Sequence, residues 1–128
     1  MATIYRATDS GYTGPWSCWA TDYETAEEYT DNPGFGGSDI IERDVDLSRV
    51  LDLRHDRTGV DYRALAAALG YEDPQATADD WRIARGWQYP WEESGDIARR
   101  IEALDIDWIR YLDDYPLDAD TLVSVRGV

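Results

Sequence analysis

Lysine is missing from this sequence: all 12 basic residues are arginine. They face 27 carboxylates, 19 of them aspartate, and the formal net charge is −15. Phosphate binding needs a positive face, so free nucleic acid is excluded as an expected ligand. Cysteine, histidine, methionine and phenylalanine occur once each. One cysteine allows no internal disulfide and no cysteine-based zinc site. Long apolar runs are missing as well, so no membrane contact is expected. The opening "MATIYRATDS" carries no apolar stretch behind a basic patch, which predicts no signal peptide and a cytoplasmic location. What the chain does have is aromatic rings, six Trp and nine Tyr, within 43% hydrophobic content. In 128 residues that suits one folded domain spanning 1–128.

Two explanations compete for the acidity. A lysine-free, aspartate-rich surface fits a salty cytoplasm or a high-GC genome. The alternative is functional: the charge imitates nucleic acid or steers the protein to a basic partner.

Local patterns give an ordered set of elements. "TIYRA" (3–7) reads as a strand, "TDSGYTGP" (8–15) as a loop and "WSCWA" (16–20) as a second strand. Thr21 with Glu24 forms a capping-box pattern ahead of a helix over 22–30. "DIIERDVDL" (39–47) and "RVLDL" (49–53) read as strands with a turn at Asp46-Leu47-Ser48, and "RHDRTG" (54–59) as a loop. Helices are expected over 60–70, stopped by Gly70, over 77–87 with Thr77 and Asp80 at the start, and over 94–104. Strands follow at 106–114 and 120–128. Strands at both ends with helices between them argue for an α+β fold.

Cys18, in "GPWSCWA", invites comparison with the thiol proteases. Their C-G-[SA]-C-[WY] string lacks its first cysteine here, where Pro15 and Trp16 stand. The partner histidine of that layout lies about 130–150 residues downstream, beyond this chain's end. The single histidine, His55, sits among Arg54, Asp56 and Arg57 and reads as solvated. Cys18 therefore reads as a structural thiol. Acidic pairs such as Asp44/Asp46 and Asp113/Asp114 lack the spacing of a calcium loop, and no metal is expected.

Several phrases together carry a resemblance: "IYRA", "WSCWATDYETAEEYT", "SDIIERDVDLSRVLDL" and "DIDWIRYLDD". Their order and spacing resemble the small ADP-ribosyltransferase-like domains of phage proteins and bacterial toxins. The resemblance covers most of the chain and leaves 60–100 as variable helices. It implies a split mixed or antiparallel sheet with a helical insertion in the middle of the chain. It also implies NAD as substrate, with Asp113 or Asp114 in the place of the catalytic acid. Some features depart from the pattern. Many relatives end in Glu where this chain has Asp. The Ser-Thr-Ser string of one branch is replaced by Trp19-Ala20-Thr21, and the first-strand His of the other by Arg6.

Chemistry suggests roles for these residues. Breaking the nicotinamide–ribose bond leaves positive charge on the ribose, which a carboxylate stabilises. Asp113 or Asp114 fits that role, or forms an ordinary acidic turn. Arg6 fits a grip on pyrophosphate or ribose, or a surface ion pair. Trp19, Thr21, Tyr23 and Tyr29 stand in the segment that would hold nicotinamide, the rings by stacking and cation–π contact; equally, Trp19 fits the core and the tyrosines a helix packed on a sheet.

Three functions stay open. The first is mono-ADP-ribosyl transfer from NAD to a protein with a basic, nucleic-acid-binding surface. That suits an intracellular toxin or a phage anti-defence protein of the anti-CRISPR kind, acting in the host cytoplasm. The second is a non-catalytic acidic DNA mimic that blocks a nucleic-acid-binding protein. The third is a housekeeping or immunity domain whose acidity reflects salt adaptation.

Overall fold

The computed structural model describes residues 1–30, 39–55, 59–84, 89–113 and 119–128. In chain order the elements are β1 (Ala2–Thr8), β2 (Ser17–Ala20), α1 (Tyr23–Thr30), β3 (Asp39–Val45), β4 (Val50–Asp52), β5 (Arg54–His55), β6 (Gly59–Val60), α2 (Tyr62–Ala68), α3 (Pro74–Ala84), α4 (Pro90–Glu93), α5 (Gly95–Glu102), β7 (Trp108–Asp113) and β8 (Ala119–Ser124). The fold is mixed α+β, with α2–α5 filling the middle of the chain as expected. None of the described helices is long and apolar enough to cross a membrane.

Six strands make one mixed sheet in the order β3-β1-β2-β8-β7-β4. All its pairings are antiparallel except β4–β7. β5 and β6 form a separate small ribbon where a plain loop was expected. The expected turn at Asp46-Leu47-Ser48 does not make a hairpin: β3 and β4 lie on opposite edges of the sheet. Six flat strands put their edges about 24 Å apart, whereas the five steps from Val45 to Val50 reach at most about 18 Å. The sheet must therefore curl toward the face this linker crosses. That face holds Ile4, Trp19, Trp108 and Leu122, all buried, with Val45, Leu47 and Val50 packed against them. Apolar residues on both sides of the linker thus pull the two edges together.

The opposite face follows from the two-residue alternation of strands. Ile109, Tyr111 and Val123 point there and join Leu65 of α2, Trp91 of α4, and Ile97 and Ile101 of α5 in a second core. Ile97 and Ile101 are four apart on α5, which Ser94 caps by accepting from Ile97 N at 3.3 Å. Asp61 caps α2 by accepting from Ala64 N at 3.0 Å, and Gly70 ends that helical segment at φ +80. α3 starts earlier than the pattern suggested, because Asp73 accepts from Ala76 N at 3.1 Å and Pro74 takes the first turn. α1 packs over β1, β2 and β3. Its cap is Asp22, not Thr21: the Asp22 carboxylate accepts from both Thr25 N at 2.8 Å and Thr25 Oγ1 at 2.9 Å.

Candidate active-site recess

Two helices flank β2 on the helical face. Tyr5 of β1, in register with Ala20, meets Tyr23 of α1 edge-on at 5.7 Å. That places α1 on the side to which Cys18 also points. α4 lies farther along the same face, over Tyr111 of β7. Between these two walls β2 forms a floor, and Cys18 meets solvent there.

Asp113, the last residue of β7, links the walls. Tyr29 Oη of α1 donates to its Oδ2 at 2.7 Å, and Tyr89 Oη donates to its Oδ1 at 2.7 Å. Sequence alternation gives the reason: Tyr111 and Asp113 are two apart on β7 and share a face. Pairing of Asp113 with Ala119 holds the strand end in the sheet.

The electrostatics of the recess keep its protons in place. Burial, then the Asp113 charge and the hydrogen bond to it, raise Tyr29 well above the phenol value of 10.0. Burial first, then neighbouring charges, hold Tyr111 well above it too. Both phenols stay protonated, and therefore able to donate, across ordinary pH. The Cys18 thiol rises from 9.0 to about 11. Burial in the recess is the main cause; Glu92 and Asp113 add to it, while Arg6 and a Tyr111 hydrogen bond pull the other way. Water reaches Cys18, but the protein closes round it on several sides, so the recess is a poor place for a thiolate.

Arg6 stands at the point where β1 and β2 part, since only Tyr5 and Ala20 are in register between them. Its Nε donates to Tyr12 O at 2.8 Å and its Nη1 to Cys18 O at 3.0 Å. Among the described residues it pairs with no carboxylate, in contrast to Arg49, Arg54, Arg82, Arg100, Arg110 and Arg126. Arg43, Arg63 and Arg99 also lack a described ion pair, but they are exposed, whereas Arg6 is half-buried. Two of its five N–H groups hold backbone, and the others keep a cation beside the recess.

Of the expected site residues, the structure brings Tyr29 and Asp113 into contact. Tyr23 stands on the same face against Tyr5. Arg6, two residues after Ile4, leaves β1 toward the opposite face and reaches the floor only at Cys18 O. The structure does not bring Trp19 into the recess. Trp19 is 1% exposed, lies on the opposite face with Leu122, and donates Nε1 to Ser17 Oγ at 2.9 Å. It is a core residue. Thr21 is half-buried at the end of the floor, where its hydroxyl donates to Asp120 O at 3.4 Å. Asp114 lies outside the described residues. Tyr89, Trp91, Glu92 and Tyr111 were not anticipated. "YPWEE" did hold a signal, because Pro at the first position with Glu two residues later marks a helix start. Here the Tyr89 N–H donates to Glu92 Oε1 at 3.0 Å.

Among the described residues no group of three or more histidine, cysteine or carboxylate side chains is placed to hold a metal ion. No family model, curated protein or solved structure matches the chain.

Proposed function

We propose that the protein is a mono-ADP-ribosyltransferase with an ADP-ribosyltransferase-like fold, and that the recess between α1 and α4 is its NAD site. The observation that carries this reading is Asp113, a half-buried carboxylate at the end of β7 held by two phenols from opposite walls of the recess. Cleaving NAD breaks the bond between ribose C1′ and the nicotinamide nitrogen. The bonding pair leaves with nicotinamide and cancels its ring charge, so positive charge builds on the ribose. A carboxylate near C1′ stabilises that charge, or accepts a hydrogen bond from a ribose hydroxyl. Arg6 offers its remaining N–H groups to phosphate oxygens. Tyr23, half exposed, and Tyr5 beside it offer ring surface to the cationic nicotinamide. A nucleophile on the target protein then bonds to C1′ and gives up its proton. The surplus of carboxylates suits a basic target, such as a nucleic-acid-binding protein. The cytoplasm of a host cell and an anti-defence or toxin role belong to the same proposal.

The experiment is an assay with labelled NAD and a bacterial lysate, comparing wild type with Asp113→Ala. Label on a discrete lysate protein, lost in the variant, is expected. Nicotinamide release without protein label would mean hydrolysis instead of transfer. Neither label nor NAD consumption from folded protein would sink the enzyme. The acidic DNA mimic would then lead, supported by an α1 whose first turn is acidic and whose last turn has no basic residue.

A further inference from the structure

Asp113 is approached from two sides by side chains of very different parentage. Tyr29 comes from the last turn of α1. Tyr89 comes from the residue before α4, in a stretch that the sequence offered only as variable helix. Each gives its proton to a different carboxylate oxygen, both at 2.7 Å.

Tyr89 is itself tightly set. Its ring stacks on Trp91 at 5.1 Å with 12° between planes and meets Tyr111 edge-on at 4.8 Å. Trp91 closes the triangle against Tyr111 at 5.5 Å. All three rings are buried, at 7%, 6% and 2% exposure for Tyr89, Trp91 and Tyr111. Buried in this way, the rings offer no exposed stacking platform to a ligand. What this packing produces is direction: it aims the Tyr89 hydroxyl at Asp113. Aspartate has few torsions of its own, and two donors on separate oxygens fix the carboxylate plane.

We infer that Tyr29 and Tyr89 are positioning residues, which turn the Asp113 carboxylate toward a hydroxyl of a ribose-type sugar in the recess. The inference rests on the reading of the recess as an NAD site. Tyr29→Phe and Tyr89→Phe keep each ring and remove one oxygen. In the full chain, each is expected to lower kcat for NAD cleavage about ten- to hundred-fold and to leave KM within about two-fold. Wild-type kcat in both variants, with turnover lost in Asp113→Asn, would overturn the positioning role.

A second readout needs no turnover. Tyrosine labelled at Cζ reports each phenol's hydrogen bond by NMR at neutral pH. Tyr29 donates to the charged Asp113 Oδ2 at 2.7 Å, so in Asp113→Asn the Tyr29 Cζ shift is expected to move. An unmoved Tyr29 signal would overturn the contact itself. A moved signal from a wild type that cleaves no NAD would uphold the phenol–carboxylate unit and remove the sugar as its ligand.

Discussion

Cys18 meets solvent, yet it lies among Arg6, Glu92, Tyr111 and Asp113 on a recessed floor. Exposure alone would make it an easy target for alkylation. The surroundings say otherwise, because they raise the thiol from 9.0 to about 11. The raised value means that the folded state prefers the protonated form. Its contribution to stability is therefore complete below pH 9 and is lost as pH rises through about 11. We expect iodoacetamide at pH 8 to modify the folded protein more slowly than the urea-unfolded chain, with the gap closing as pH approaches 11. Mass spectrometry of quenched samples measures both rates. Equal rates at pH 8 would mean that the recess does not shelter the thiol. The neighbouring Trp19 shows where single residues stop being legible. Alternation along "SCWA" places Cys18 and Trp19 on opposite faces, and that much is visible in the sequence. Which face receives a ring is not, because both faces of this sheet are covered by apolar residues.

Elements with local causes were the legible ones. α2 and α5 follow from apolar residues four apart and from nearby caps, and strands β1, β2, β7 and β8 from runs of alternating or β-branched residues. Pairing between β4 and β7 was not legible, since it joins residues more than fifty positions apart. The β3–β4 linker looked like a hairpin turn because Asp46-Leu47-Ser48 makes a short break between two strand-like runs. Only the curl of the whole sheet explains why it bridges opposite edges instead. α4 has four residues, too few to show a period. The start of α1 was one residue out, which gives a direct test of cap identity. Asp22→Ala removes an acceptor bonded to Thr25 N and Oγ1 and should cost about 1 kcal/mol. Thr21→Ala loses only a 3.4 Å contact to Asp120 O and should cost less than about 0.5 kcal/mol. Urea midpoints for the two variants decide between the two caps; a larger loss for Thr21→Ala would restore the capping box.

At the scale of the molecule the main force to weigh is self-repulsion. Twenty-seven carboxylates face 12 arginines, and several of those arginines already serve acidic neighbours. Arg49 pairs with Asp105 and Asp107, Arg126 with Asp107, and Arg54 with Asp52 and Asp120, which also takes Arg110. Surface pairs of this kind contribute about 0–1 kcal/mol each, and salt weakens them. The unpaired surplus acts over longer distances and opposes the compact state. Salt therefore pulls two ways, and the excess of 15 negative charges says that relief of repulsion wins. We expect the thermal midpoint to rise between low salt, where the screening length is about 30 Å, and 0.15 M, where it is about 8 Å. Each 1 kcal/mol of relief is worth about 3–5 °C in a chain of this size. Scanning calorimetry from 10 mM NaCl upward measures it. The shape above 0.5 M then separates the explanations of the acidity. Simple screening is nearly complete there, so a plateau leaves the charge free to serve partner recognition. A midpoint that keeps climbing into molar salt marks adaptation to a salty cytoplasm. A falling midpoint would mean that the arginine pairs outweigh the repulsion.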